Sequence, residues 1–263
     1  RWHKVARAQG LYSSVHDMSR WVNMQLAGGT FTDAKGTQHQ LFTPERQQEM
    51  WSVITPITIP KPLVPELEAA RPNFLGYGEG WQLSDYRGRK VVSHTGGWPG
   101  MVSRVTLIPQ QKLGVIVLTN AEAGGAFNAV TMRVLDAFTE APRTDWTAAY
   151  AAALAKQKDK SDEDWRKHLA ARATNAPPSR PLSAYARTYR DPWYGDILVE
   201  EGKDGLVMRF SRTPDLVGRM EPWQHDTFIV RWNERWLNAD AFVTFSLDAD
   251  GKLREARMEA ISP

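Results

Sequence analysis

Three prolines within five residues, Pro177, Pro178 and Pro181 in the run NAPPSRP, divide this sequence into parts that follow different periodicities. Proline fixes φ and lacks a backbone N–H, so neither a helix interior nor a central strand runs through such a segment. A chain of 263 residues has room for one large domain or two smaller ones. The composition shift puts a domain boundary near residues 178–181. We therefore expect an N-terminal domain over residues 1–142, a helical and proline-rich linker over 143–180, and a small all-β domain over 181–263.

Before the break, helix and strand signals alternate. Val15, Met18, Val22 and Leu26 fall on one helical face, Ser14 and Asp17 make a capping-box variant, and Gly28-Gly29 ends the helix. Asp17 is expected to cap rather than to catalyse. Thr43-Pro44-Glu45 starts a second helix, with Thr43 as its cap. The prolines of residues 55–72 predict an irregular loop. Residues 90–93 predict a strand leading into SHTGGWPG, and residues 102–108 alternate, with Val105 and Leu107 on one face. KLGVIVLTN, 112–120, is a continuous apolar run, as in a strand covered on both faces. Gln110-Gln111 is a short connection, so the last two strands should form an antiparallel hairpin. A helix is expected over 126–139, with Val130, Val134, Leu135 and Phe138 on its packed side.

After the break the pattern is all β. DILVEE, GLVMRF, TFIVRW, AFVTFSL and LREARMEAI read as short strands, and turn chemistry such as Lys203-Asp204-Gly205 separates them. A small antiparallel barrel or curled sheet fits that spacing. Asp248, Asp250 and Gly251 look like half a calcium loop, but the residues that follow read as a strand, so a turn is expected. Tyr189, Trp193, Tyr194 and Trp223 are candidates for a carbohydrate- or lipid-binding surface. Core packing is the expectation for them, as for most of the eleven tryptophans.

Composition removes several function classes. The net charge is +3 and no long basic run occurs, so nucleic acid is not an expected partner. No apolar stretch approaches the ~18 residues of a membrane span. With no cysteine, disulfides and thiolate metal sites are excluded. The histidines at 3, 16, 39, 94, 168 and 225 make no metal-binding spacing, so no metal is expected. A cysteine-free chain fits the bacterial cytoplasm and periplasm alike.

Taken in order, GLYSSVHDMSRWVNMQL, GYGEGW (76–81), SHTGGWPGMVSRVTLIP and KLGVIVLTN, then a helix, form an ordered set. This set resembles the C-terminal half of the serine β-lactamase-like, penicillin-binding-type hydrolases, which include class C β-lactamases, esterases and D-amino-acid peptidases. The resemblance covers roughly residues 8–140. It implies an α+β fold, a partial β-lactamase-like domain with an antiparallel sheet and packed helices, and no cofactor. Residues 182–261 resemble a small β domain, of unknown function, often appended to such hydrolases.

His94-Thr95-Gly96 falls where that family carries its third motif, K-[ST]-G or H-x-G, on the strand lining the active site. A strand edge there can hold a substrate as an extra strand and help polarise its carbonyl. Thr95 and His94 are the candidate catalytic groups, Thr95 for a substrate carboxylate or a proton relay, and His94 for the same work as a hydrogen-bond donor. Gly96 and Gly97 let a substrate approach the backbone. Tyr77 and Trp81 are candidate pocket residues. The expected partner is a small-molecule or peptide substrate.

The sequence departs from the family at its nucleophile. No serine has lysine three residues on, and no tyrosine or serine has asparagine two residues on, so S-x-x-K and Y-x-N or S-x-N are both missing. Ser93, Thr95 and Ser103 are poor substitutes, since no basic side chain is placed to activate them. The sequence, which opens without methionine, is expected to be a C-terminal portion that is inactive alone. The alternative is a pseudoenzyme or a binding module working through its β domain. If the sequence is such a C-terminal portion, an uncovered sheet edge is expected, to be filled by the N-terminal half of the same protein or by self-association.

Overall fold

The computed structural model describes residues 11–261. His3, Gly10 of the GLYSS run and the opening residues lie outside the described residues. The chain divides between Gln157 and Lys158 into two compact units.

The first unit is built on a six-stranded antiparallel meander. Strands β3 (Thr55–Pro56), β4 (Leu75–Tyr77), β5 (Gln82–Tyr86), β6 (Arg89–Trp98), β7 (Met101–Ile108) and β8 (Leu113–Leu118) lie side by side in chain order. Helix α1 (Val15–Leu26) covers one face and helix α3 (Gly124–Phe138) the other. Neighbouring residues serve opposite faces: Val92, Leu107 and Ile116 pack with Val22 of α1, whereas Val91, Ile108 and Val115 pack with Met132 and Leu135 of α3. This explains the unbroken apolar run in β8, which is an edge strand by hydrogen bonding yet covered on both faces. Leu83, Val92, Leu107 and Ile108 are fully buried, each contributing about 1.5–3 kcal/mol of transfer free energy. At Gly114 a Cβ would collide with Val22, so glycine lets α1 lie directly on β8.

The capping predictions hold in detail. Ser14 Oγ accepts the Asp17 N–H at 3.2 Å and donates to the Asp17 carboxylate at 3.0 Å. Thr43 Oγ1 accepts the Arg46 N–H at 3.4 Å and caps helix α2 (Pro44–Met50). A two-stranded hairpin, β1 (Thr30–Thr32) with β2 (Gln38–Gln40), separates α1 from α2.

Four expectations about the elements of this unit need correction. Val15 is exposed, so the packed face of α1 begins at Met18. Residues 55–72 are not wholly irregular, because β3 adds to the sheet edge, where Pro56 needs no ladder donor, and a 3-10 turn spans Pro65–Ala70. The strand expected over 90–93 continues through the glycines to Trp98. On α3, Val130 and Phe138 are 51% and 59% exposed, and the buried face instead runs through Thr131, Met132, Leu135, Asp136 and Thr139. Three of those five are polar, which displaced the apolar stripe. Each is satisfied: Thr131 and Thr139 donate to carbonyls one turn back at 2.8 Å, and Asp136 accepts the Tyr86 hydroxyl and, at 2.6 Å, the indole N–H of Trp146. Burial first, and then the Asp136 carboxylate, pushes the Tyr86 hydroxyl up to about 12.

Helix α4 (Trp146–Ala171) crosses the division between the units. Trp146, Ala149 and Ala153 are its buried residues. The second unit holds the short helix α5 (Leu182–Tyr185) and a nearly closed seven-stranded antiparallel barrel. Its strands are β9 (Thr188–Asp191), β10 (Gly195–Gly202), β11 (Gly205–Phe210), β12 (Val217–Gln224), β13 (Thr227–Trp232), β14 (Ala241–Leu247) and β15 (Leu253–Ala260). Tyr185, Leu206, Met208, Met220, Phe228 and Val243 fill the interior. On the outer face Trp165 of α4 packs with Trp223 and Phe242. The Asp248–Gly251 segment is a turn, in which the Asp248 carboxylate accepts the N–H groups of Asp250 and Lys252 at 2.9 and 2.8 Å. Trp223 is core, as expected, and Tyr189 packs half-buried against the barrel interior beside Phe245. Trp193 and Tyr194 are not, at 82% and 53% exposed. No helix among the described residues is long and apolar enough to cross a membrane.

Candidate active site

The opening motif sits where β6 outruns its neighbour. The ladder between β5 and β6 ends at the pair Gln82 and Ser93, while β6 continues to Trp98 and pairs on its other side with β7 throughout. Burial changes at the same point, from Ser93 at 2% to exposed positions at His94, Thr95, Gly96 and Gly97. Residues 94–97 therefore present one backbone edge with no strand partner among the described residues. A Cβ at Gly96 would stand 2.7 Å from Ser103 Oγ, a contact that rotation of the Ser103 hydroxyl relieves.

The pleat sends His94 and Gly96 to the α1 side of the sheet and Thr95 and Gly97 to the α3 side. On the first side, the Tyr77 hydroxyl lies 2.9 Å from His94 Nε2, with the rings edge to face at 6.0 Å. This contact orients the His94 ring; whether Nε2 accepts from the Tyr77 hydroxyl or donates to it depends on the imidazole tautomer. Tyr77 is aimed by GYGEGW: a Cβ at Gly78 would meet the Met50 carbonyl and stand 2.7 Å from that of Ser52, so the backbone of β4 passes hard against the end of α2. Trp81, the other aromatic of the motif, goes elsewhere. It is 5% exposed, stacks on Trp21 at 5.4 Å and meets Trp51 edge-on at 6.4 Å, so it braces the site from within the core.

On the α3 side stands a residue that the sequence reading missed. Arg104 lies directly across from Thr95 in the ladder, so the two side chains share a face. Its Nε donates to Thr106 Oγ1 at 3.0 Å and its Nη1 donates to Asn128 Oδ1 of α3 at 2.7 Å. The Phe127 ring lies 6.0 Å from the guanidinium. None of the ion pairs among the described residues involves Arg104, and burial holds its pKa below the usual arginine range. A partly desolvated guanidinium with two neutral partners and no carboxylate has capacity left for an anion. The signal was in SRVTL: with Val105 and Leu107 packed on one face, the opposite face must carry Arg104 and Thr106.

Of the serines weighed as substitute nucleophiles, Ser93 is buried and Ser103 faces Gly96. His94, Thr95, Gly96 and Gly97 lie on the free edge of β6, Tyr77 reaches His94 from β4, Arg104 faces Thr95 from β7, and Trp81 lies behind in the core.

Residues 1–138 match the Beta-lactamase family, and residues 171–263 match DUF3471, a domain of unknown function. The chain belongs to the β-lactamase family. Among curated proteins this β-lactamase-family chain is similar to "Unguisins hydrolase ungD" of Aspergillus violaceofuscus (strain CBS 115571), at 24% identity over 226 residues. That match covers 78% of this chain and 37% of the relative. Among solved structures, the octameric penicillin-binding protein homologue from Pyrococcus abyssi aligns at a TM-score of 0.40 and 13% identity, over 94% of this chain and 47% of that one. SurE with D-Leu aligns at 0.28 and 15%, over 83% and 42%. The chain thus spans less than half the length of each of these relatives.

Proposed function

We propose that residues 1–138 of this β-lactamase-family chain form one wall of the active site of a serine hydrolase that works through an acyl-enzyme. The observation that carries this reading is the free edge of residues 94–97, with Thr95 directly across from the unpaired Arg104. On this reading the substrate lies along that edge as an added strand, and Thr95 and Arg104 hold its carboxylate. His94, oriented by Tyr77, faces the reacting group from the other side of the sheet. In the reaction a serine oxygen attacks the carbonyl of an ester, amide or β-lactam; the bond to the leaving oxygen or nitrogen breaks and that atom takes a proton, departing from an ester or amide and staying tethered in an opened β-lactam. Water then cleaves the acyl-enzyme and restores the serine hydroxyl. Residues 1–263 contain no S-x-x-K, so a further segment supplies the serine and lysine, and the chain is inactive alone.

Histidine in place of lysine at the head of the motif favours an esterase or D-amino-acid peptidase over an efficient β-lactamase. The outer edge of β8, which ends the strand order, takes a strand from that further segment or from a second copy. The test is labelling of the natural gene product with a fluorophosphonate, followed by peptide mapping. A labelled serine outside these 263 residues is expected. No label, or a label on Ser93 or Ser103, overturns the reading. Chromogenic cephalosporin turned over in preference to p-nitrophenyl esters removes the esterase assignment.

A further inference from the structure

The connection between β9 and β10 holds two aromatic side chains out in water by a set of bonds that leaves it little freedom. Asp191 Oδ1 accepts the N–H groups of both Trp193 and Tyr194, at 2.7 and 2.8 Å. The Trp193 carbonyl accepts from Arg212 Nη1 at 2.9 Å. Gly195 has φ +80°, and a Cβ there would stand 2.8 Å from Arg212 Nε, so the arginine stem lies flat against the glycine. The Tyr194 ring meets Phe210 of the barrel core edge-on at 6.0 Å. Trp193 is nevertheless 82% exposed. These bonds fix the backbone beneath the indole, and an indole left in water is apolar area that a ligand can cover.

Beside this tip lies a cavity of about 380 Å³, lined by Arg190, Asp191, Pro192, Asp196, Ser211 and Arg212, and by Gly195. Its charges cancel. Arg190 Nε donates to Asp196 Oδ1 at 2.7 Å, and Ser211 Oγ accepts the Asp196 N–H at 3.0 Å. Oδ2 of Asp191 and of Asp196, and Nε and Nη2 of Arg212, carry no hydrogen bond among the described residues. The Ser211 hydroxyl still has its proton to give. The cavity therefore offers acceptors and donors in balance, next to an exposed aromatic face. A simple anion or cation would find its charge opposed there. A neutral molecule with several hydroxyls matches, since each hydroxyl both gives and accepts, and the C–H face of its ring covers an indole.

We propose that this tip and cavity bind a neutral saccharide, and that the domain of unknown function is a sugar-binding module. The inference does not depend on the active-site reading.

The test is NMR titration of the full 263-residue chain. The Trp193 indole N–H is identified by its loss in Trp193→Ala, a substitution the exposed position tolerates. The probes are pentasaccharides of glucose (β-1,4 and α-1,4), N-acetylglucosamine and mannose, each to about 10 mM, a range that detects binding weaker than millimolar. Saturable shifts of the Trp193 indole and Arg212 Nε–H signals with at least one sugar are expected. Trp193→Ala and Arg212→Ala should each weaken binding about tenfold or more, a loss of ~1.4 kcal/mol. Silence toward all four sugars overturns the proposal. So does a response confined to inorganic phosphate, to a glutamate-rich peptide or to phosphatidylcholine vesicles.

Discussion

Asp136→Ala should be among the most damaging single substitutions in the first unit. Asp136 is 1% exposed and accepts from Tyr86 of β5 and Trp146 of α4, so one carboxylate ties a strand and two helices together. Truncation leaves two buried donors without an acceptor. Each costs about 1–3 kcal/mol, hence about 2–6 kcal/mol in all. That is a large share of the ~5–15 kcal/mol by which domains are stable. Asp136→Asn keeps one acceptor oxygen and should cost about 1–3 kcal/mol. Urea unfolding followed by near-ultraviolet circular dichroism measures both, and two transitions are expected from two compact units, of which one should move. Tyr86→Phe closes a double-mutant cycle: combined with Asp136→Ala, its cost should fall short of additivity by about 0.5 kcal/mol or more. An Asp136→Ala variant within about 0.5 kcal/mol of the parent, or strict additivity in the cycle, refutes the tie.

Tyr77→Phe should leave stability within about 0.5 kcal/mol but release the His94 ring, seen as a change in its two ring-nitrogen shifts. Unchanged shifts would show that the 2.9 Å contact does not orient the histidine. Acid should destabilise both units. Burial pushes the Asp85, Asp226 and Asp240 carboxyls up, but hydrogen bonds from Asn73, from Tyr185 and Ser179, and from Arg235, respectively, outweigh it and hold all three below the usual 3.8. Their contribution is complete above that value and is lost as pH falls through the lowered values. A stability flat from neutral pH to well below 3.8 contradicts these bonds.

Elements with strong local signals were legible in the sequence. Ser14 and Thr43 announced their helices, and the turn at Gly205 separated two strands as read. What escaped depends on contacts that propensity does not carry. Strand β12 was hidden by Gly218 and Pro222: the glycine lies where a Cβ would press on the Arg231 backbone within 2.9 Å, and the proline sits at a bulge in the ladder. The continuation of β6 through Gly96 and Gly97 comes from pairing with β7, against the low strand preference of glycine. At the candidate site, the motif residues were singled out from their order, but Arg104 was not, because its proposed role rests on facing Thr95 across a ladder. The exposure of Trp193 was equally unreadable, since composition favours burial of tryptophan.

The central claim is that Thr95 and Arg104 together receive a substrate carboxylate at the free edge of β6. The most direct measurement compares an N-acetylated dipeptide carrying a free C-terminal carboxylate with its C-terminal amide. The amide N–H signals of Thr95, Gly96 and Gly97 are followed in the wild-type chain and in Arg104→Gln. The account predicts saturable shifts with the carboxylate form, much weaker ones with the amide, and loss of that difference in Arg104→Gln. Equal responses to the two peptides, or a preference for the carboxylate that survives Arg104→Gln, would contradict it.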